Sequence, residues 1–301
     1  MIKDFEELLA IAKERPKMKL SVAAAQDDEV LIAVDSARKL GIIDAILVGD
    51  KEKIESIAKA ASIDISKYEI VDVKDLKEAA RTAVALVSQG KADFLMKGLL
   101  GTADILRAVL DKEIGLRTKS LLSHVMLYSV PTYHKIIFLT DGGMVTYPDL
   151  NQKVQLVNNA VKVAKALGVS PAHVAPLCAV EVINPDMQAT LDAAALSKMS
   201  QRGQIKDCII DGPLALDNAI SKEAAKHKGI TSPVAGEADI LLVPNIEAGN
   251  LLGKSLTYFA KAKSAGVIMG AKCPIVLVSR ADSHESKLYS IALGSLTASI
   301  K

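Results

Sequence analysis

The chain has 301 residues, 37 of them basic and 35 acidic for a formal net charge of +2, and half are apolar. That length exceeds what one hydrophobic core usually supports and predicts two domains; the apolar share excludes a disordered chain. The balanced charge, with no basic stripe, excludes a nucleic-acid partner, and no apolar run approaches the roughly 18 residues a membrane span needs. The first stretch, MIKDFEELLAIAKERP, is charged and amphipathic and lacks a signal-peptide core, so a soluble cytoplasmic protein is expected. Cys178, Cys208 and Cys273 stand far apart without C-x-x-C spacing, as reduced buried thiols do.

Short apolar runs then recur in chain order. Strands are predicted at 20–25 (LSVAAA), 44–49, 68–73, 93–98, 124–129 and 135–140, and further on at 173–180, 208–212, 239–244 and 274–279. Between them lie amphipathic stretches such as EVLIAVDSARKLG and LKEAARTAVALVSQG, with apolar residues at three- and four-residue steps and a closing glycine. SLTYFAKAKSAG, from Ser255 to Gly266, reads as a helix. This alternation indicates an α/β protein with largely parallel sheets. Ligands of such sheets bind beyond the carboxyl ends of the strands, so polar residues just after a strand carry the functional weight.

Several strand ends are polar and glycine-bearing. In MKGLLGTADILRAVL the strand closes at Met96 or Lys97, Gly98 and Gly101 follow, and Thr102 can cap a helix carrying Asp104 and Arg107. Glycines let a backbone approach an anion and a helix start offers N–H groups to phosphate; an ordinary strand–helix turn with a threonine cap is the competing reading. FLTDGGMVTYPDLNQK brings Asp141, Gly142 and Gly143 to the next such end. There the small residues either admit an elongated ligand or make a tight turn before a helix capped by Asp149. DGPLALD adds Asp211 and Asp217, and VPNIEAGNLLGKS adds Asn245, Glu247, Asn250 and Lys254. No P-loop, G-x-G-x-x-G, G-x-S-x-G or H-E-x-x-H motif is present, and the five histidines have no metal-ligand spacing. In LVSRADSHESK the strand ends at Ser279-Arg280 and Asp282, Ser283, His284, Glu285 and Ser286 follow, as an active-site edge or as the wet start of a surface helix.

Taken in order, KGLLGTADILR, FLTDGGMVTYPDLNQK, DGPLALD, P-N-x-x-A-G-N and LVSRADSHESK resemble the phosphate acyltransferase family, its acetyltransferases and, more closely, its butyryltransferases. The likeness runs from about residue 20 to the C-terminus. It implies two α/β/α domains flanking a cleft in the isocitrate/isopropylmalate dehydrogenase-like manner, with residues 1–124 and 263–301 in one domain and 125–262 in the other. It implies transfer of a short acyl group, butyryl or acetyl, between CoA and inorganic phosphate. The partners would be butyryl-CoA, phosphate, butyryl phosphate and further copies of the chain, without metal or redox cofactor.

By the same resemblance Ser279 and Arg280 stabilise the reacting carbonyl oxygen. Arg107, by the resemblance, and Lys97, Gly98, Gly101 and Thr102, by residue type and position, are expected to hold phosphate, and Asp141, Gly142, Gly143, Asn245 and Asn250, at the other strand ends, to line the substrate site. The family's aspartate base falls on Ser286, a departure that leaves Glu285 and Asp282 as candidates; one residue on a helix turns a side chain by about 100°. Lys97 is a second departure, since acetyltransferases carry a small residue there. Two other classes keep a place: a metal- and NAD-dependent decarboxylating dehydrogenase, which needs Asp211, Asp217 and Asp239 to gather round a cation, and a protein that binds acyl-CoA or acyl phosphate without turnover.

Overall fold

The structure, a computed structural model, describes residues 2–278 and 282–300. In chain order its elements are α1 (Phe5–Lys13), β1 (Met18–Ala23), α2 (Asp28–Lys39), β2 (Ile43–Gly49), α3 (Lys51–Ala60), β3 (Glu69–Asp72), α4 (Leu76–Ser88), β4 (Phe94–Lys97) and α5 (Thr102–Val109). Then come β5 (Ser123–Ser129), β6 (Ile137–Thr140), α6 (Leu150–Ala166), β7 (Ala172–Pro176), α7 (Gln188–Gln201), β8 (Cys208–Ile210), α8 (Leu216–Ile220), α9 (Lys222–His227), β9 (Ile240–Leu242) and α10 (Ile246–Tyr258). The chain closes with β10 (Lys263–Met269), β11 (Ile275–Val276) and α11 (His284–Ala298).

Contacts divide the chain into two units: Phe5–Ser120 with the chain from Ser264 onward, and Leu121–Lys263 with the N-terminal residues up to Asp4. The division differs from the sequence expectation at three places, one of them Lys263, which goes with the middle segment. Residues 121–124 go with the middle segment because β5 begins at Ser123 and pairs with β6, Met126 opposite Leu139. The N-terminal tip joins them because buried Ile2 accepts the Ile136 N–H through its carbonyl at 3.4 Å.

In the unit made of Phe5–Ser120 and the chain from Ser264 onward the strand order is β3-β2-β1-β4-β11-β10, parallel throughout except for β10 against β11. β4 (FLMK) is buried along its whole length, as expected of a central parallel strand covered on both faces. Helix α4 starts at its Asp75 cap and buries Ala79, Ala80, Ala83, Val84, Leu86 and Val87, the stripe its three- and four-residue spacing predicts. α11 packs against α2 and α1, and Phe5 stacks on Tyr289 with ring centroids 4.6 Å apart, a pair contributing about 0.5–1.5 kcal/mol beyond its area.

The second unit orders its strands β5-β6-β9-β7-β8, parallel except for β5. Its core gathers Tyr128, Ile137, Leu139, Ala175, Leu241 and Val243. The helix read over residues 255–266 is corrected here. α10 ends at Tyr258, Lys261 takes a left-handed φ of +53°, and KSAGVIM is β10, buried from Ser264 on. The run of small residues mimics a helix, but burial on both faces of the strand decides the outcome.

Candidate active site

Lys97 ends β4 and is buried; its Nζ donates to the carbonyls of Gly98 at 3.3 Å and Leu100 at 3.2 Å, so the ammonium shapes its own loop. The N–H groups of Gly98 and Leu99 go to the carbonyls of Ala23 at 2.8 Å and Ala24 at 2.7 Å. A Cβ on Gly98 would lie 2.2 Å from the Ala24 oxygen, so this glycine answers a close approach to the end of β1. Thr102 does not cap α5. Gly101 is the N-cap, without a side-chain cap, because its carbonyl already accepts from Asp104 and Ile105; exposed Thr102 is the first helical residue. Arg107, with a side chain 70% exposed, reaches back to Asp104 at 2.8 Å.

β11 lies beside β4 in parallel register, Val276 opposite Met96. The expected catalytic pair Ser279 and Arg280 lies outside the described residues. Beyond it Ser283 is the N-cap of α11, accepting from the Ser286 N–H at 3.3 Å. Glu285 occupies the first turn, exposed, and accepts from the Tyr289 hydroxyl at 2.7 Å. Asp282, half-buried, sits before the helix, and its carbonyl accepts from the Lys287 ammonium. The His284 N–H and ring Nδ1 both meet the Glu29 carboxylate of α2, the ring at 3.2 Å.

In the second unit Asp141 is buried and committed. Its carboxylate accepts from the backbone N–H of His124 at 2.9 Å, Gly143 at 2.7 Å and Met144 at 2.9 Å. It pins the Asp-Gly-Gly turn. Gly142 and Gly249 touch backbone to backbone; a Cβ on either would lie 2.7–2.8 Å from the other. Gly142 therefore admits α10, while a Cβ on Gly143 would meet the His124 ring. Asn245 caps α10, accepting from Ala248 at 2.9 Å, and exposed Asn250 reaches the Gly142 carbonyl at 3.4 Å. Tyr147 donates to Glu247, and that hydrogen bond raises the pKa of its phenol. Asp149 caps α6 in a capping box with Gln152.

The geometry is that of strand ends meeting helix starts, and known proteins share it along the whole chain. The family model described as "Phosphate acetyl/butaryl transferase" matches residues 4–81 and 73–295. The chain belongs to this family. It is 56% identical over 298 residues to the phosphate butyryltransferase of Clostridium beijerinckii, covering 99% of each chain, and 55% identical over 301 residues to that of Clostridium acetobutylicum, covering 100% of each. Among solved structures, a branched-chain phosphotransacylase from Enterococcus faecalis superposes with a TM-score of 0.84 at 34% identity, covering 94% of this chain and 99% of that one.

Three features of this acyltransferase escape sequence reasoning. Lys287, fourth residue of α11, is buried; LVSRADSHESK marked the polar burst but gave the lysine no task. Lys153, fourth residue of α6, is buried too and pairs with Asp192 at 2.6 Å, whose other oxygen accepts from Gln188 at 2.9 Å. Gly249 and Gly253 are helix-face glycines, the second against the Tyr128 hydroxyl.

The aspartates of the dehydrogenase reading do not gather. The Asp239 N–H bonds the His173 carbonyl before β9, and its carboxylate holds Lys135 at 2.7 Å. Asp211 follows β8, at the opposite end of the same parallel strands, and Asp217 pairs with Lys228 at 3.4 Å. Among the described residues no cluster of three or more His, Cys, Asp or Glu could hold a metal ion, and no helix is long and apolar enough to cross a membrane. Burial pushes the thiols up, Cys178 and Cys208 to about 11 and Cys273 to about 12, so none is a ready nucleophile at neutral pH.

Proposed function

We propose that the chain exchanges a butyryl group between CoA and inorganic phosphate, butyryl-CoA and phosphate giving butyryl phosphate and free CoA, and the reverse. What carries the butyryl reading over the acetyl one is the end-to-end likeness to two phosphate butyryltransferases. In the direction of thioester synthesis Glu285 takes the proton of the CoA thiol. A thiol with a pKa of about 8.5 is mostly protonated at neutral pH, and a positioned base contributes roughly 10²–10⁴-fold. The thiolate attacks the butyryl phosphate carbonyl, a C–S bond forms, the C–O bond to phosphate breaks, and phosphate leaves. Ser279 and Arg280 donate to the oxyanion that develops meanwhile.

Glu285 is preferred to Asp282 as base because its exposed carboxylate is oriented by the Tyr289 hydroxyl. The start of α5, with Arg107, holds phosphate. The homo-oligomer belongs to the same reading: Leu251, Tyr258 and Phe259 leave an apolar face exposed on and just after α10, of the kind that marks association surfaces. Sedimentation tests it; a monomer at micromolar concentration would refute it.

The deciding experiment follows phosphate-dependent release of thiol from butyryl-CoA beside acetyl-CoA. Faster release from butyryl-CoA is expected, and no release from either thioester sinks the transferase reading. Glu285→Gln should lower kcat by about 10²-fold or more and Asp282→Asn by only severalfold. The opposite ranking would move the base to Asp282.

A further inference from the structure

Four lysines of this chain are buried among the described residues: Lys97, Lys135, Lys153 and Lys287. Lys135 and Lys153 each face a carboxylate, Asp239 at 2.7 Å and Asp192 at 2.6 Å. Lys287 is 3% exposed, and its ammonium donates to the Asp282 carbonyl; among the described residues it forms no ion pair. A carbonyl accepts a hydrogen bond but neutralises nothing, and a buried unpaired charge is expensive. The position compounds the cost, since an ammonium in a helix's first turn opposes the positive end of its dipole. The carboxylates of Glu29 and Glu285 take hydrogen bonds from His284 and Tyr289, and none of the ion pairs among the described residues joins them to Lys287. An ammonium has three donors, and one is committed.

From this we infer that Lys287 holds the reacting phosphate group, the substrate dianion serving as the counter-charge that no ion pair among the described residues supplies. The residue sits where α11 begins beyond β11, a strand parallel to β4, at the carboxyl ends where ligands of such sheets bind. The inference rests on the acyl-transfer reading for the identity of the ligand. Phosphate chemistry here has two sources, the transferred phosphoryl group and the fixed phosphates of CoA, and the inference commits to the first.

The test uses the full-length chain and Lys287→Met, which removes the charge at similar volume, with Lys287→Arg as a charge-retaining control. Inorganic phosphate should raise the melting temperature of the wild type and of the arginine variant. The methionine variant, folded by circular dichroism, should lose most of that shift. In the thiol-release assay its KM for phosphate should rise about tenfold or more, as expected for a charged hydrogen bond, with KM for butyryl-CoA changing less than about twofold. A methionine variant with an undiminished phosphate shift would overturn the inference. So would equal lowering of its melting temperature with and without phosphate, which marks a purely structural lysine. A rise confined to KM for butyryl-CoA would assign the ammonium to the CoA phosphates and overturn it equally. The melting arm needs no turnover, so it still tests Lys287 if the wild type releases no thiol.

Discussion

Two strand–loop–helix turns of this chain are built alike and differ in one partner. In the second unit β6 leads through Asp149, the N-cap, to Lys153 at the fourth position of α6; in the other unit β11 leads through Ser283 to Lys287 at the fourth position of α11. Each cap accepts from the third helical N–H, and each lysine N–H bonds back to the cap carbonyl, at 2.8 Å and 3.1 Å. Both side chains are buried. Lys153 finds Asp192 on α7, whereas Lys287 finds a backbone carbonyl. The first turn is complete in itself. The second carries positive charge in need of an anion. The comparison teaches that local sequence, D-x-x-x-K or S-x-x-x-K, sets the helix start and buries the lysine, while a residue far along the chain decides whether the charge is structural or available.

The largest effect that would sharpen this contrast comes from Lys153→Met. It strands the buried Asp192 carboxylate, with only Gln188 left to it, and should destabilise by about 3–5 kcal/mol in urea unfolding. The double variant Lys153→Met/Asp192→Leu should recover most of that loss, whereas Lys287→Met strands no partner and should cost far less. Equal losses for the two single variants would erase the distinction. Next in size is Asp141→Asn, which leaves one acceptor oxygen for the three N–H groups that hold the turn before α6. A loss of about 2–4 kcal/mol is expected, because bonds to a charged acceptor are the strong ones. A change under about 0.5 kcal/mol would mean that the Gly142–Gly249 contact alone fixes the turn.

Much of this was legible in the sequence. The parallel α/β architecture follows from short apolar runs alternating with capped helices, because strands covered on both faces admit little but apolar residues. The polar, glycine-bearing strand ends were legible as motifs. What the sequence hides is where a side chain spends its hydrogen bonds. Asp141 and Lys97 look like site residues by position and type, yet each satisfies backbone groups of its own or a neighbouring loop. Gly98 and Gly142 read as room for a ligand, and each also makes room for a neighbouring backbone, which no local pattern announces. The missed strand β10 fails for another reason: A-K-A-K-S-A-G has helical propensity, and burial beside β11 overrides it.

The smallest predicted effect would convert one turn into the other. Ser283→Asp keeps an N-cap of equal quality and places a carboxylate four residues before Lys287, as Asp149 stands before Lys153. It adds negative charge at the helix end that favours it, worth about 0.3–1 kcal/mol on unfolding. If Lys287 waits for an anion, this internal carboxylate should compete for it. Stability without phosphate should then rise slightly, the phosphate-dependent shift in melting temperature should shrink, and KM for phosphate should increase. A variant that gains the same stability yet responds to phosphate like the wild type would show that cap and ammonium do not communicate. The counter-charge for Lys287 would then have to come from a group other than the reacting phosphate.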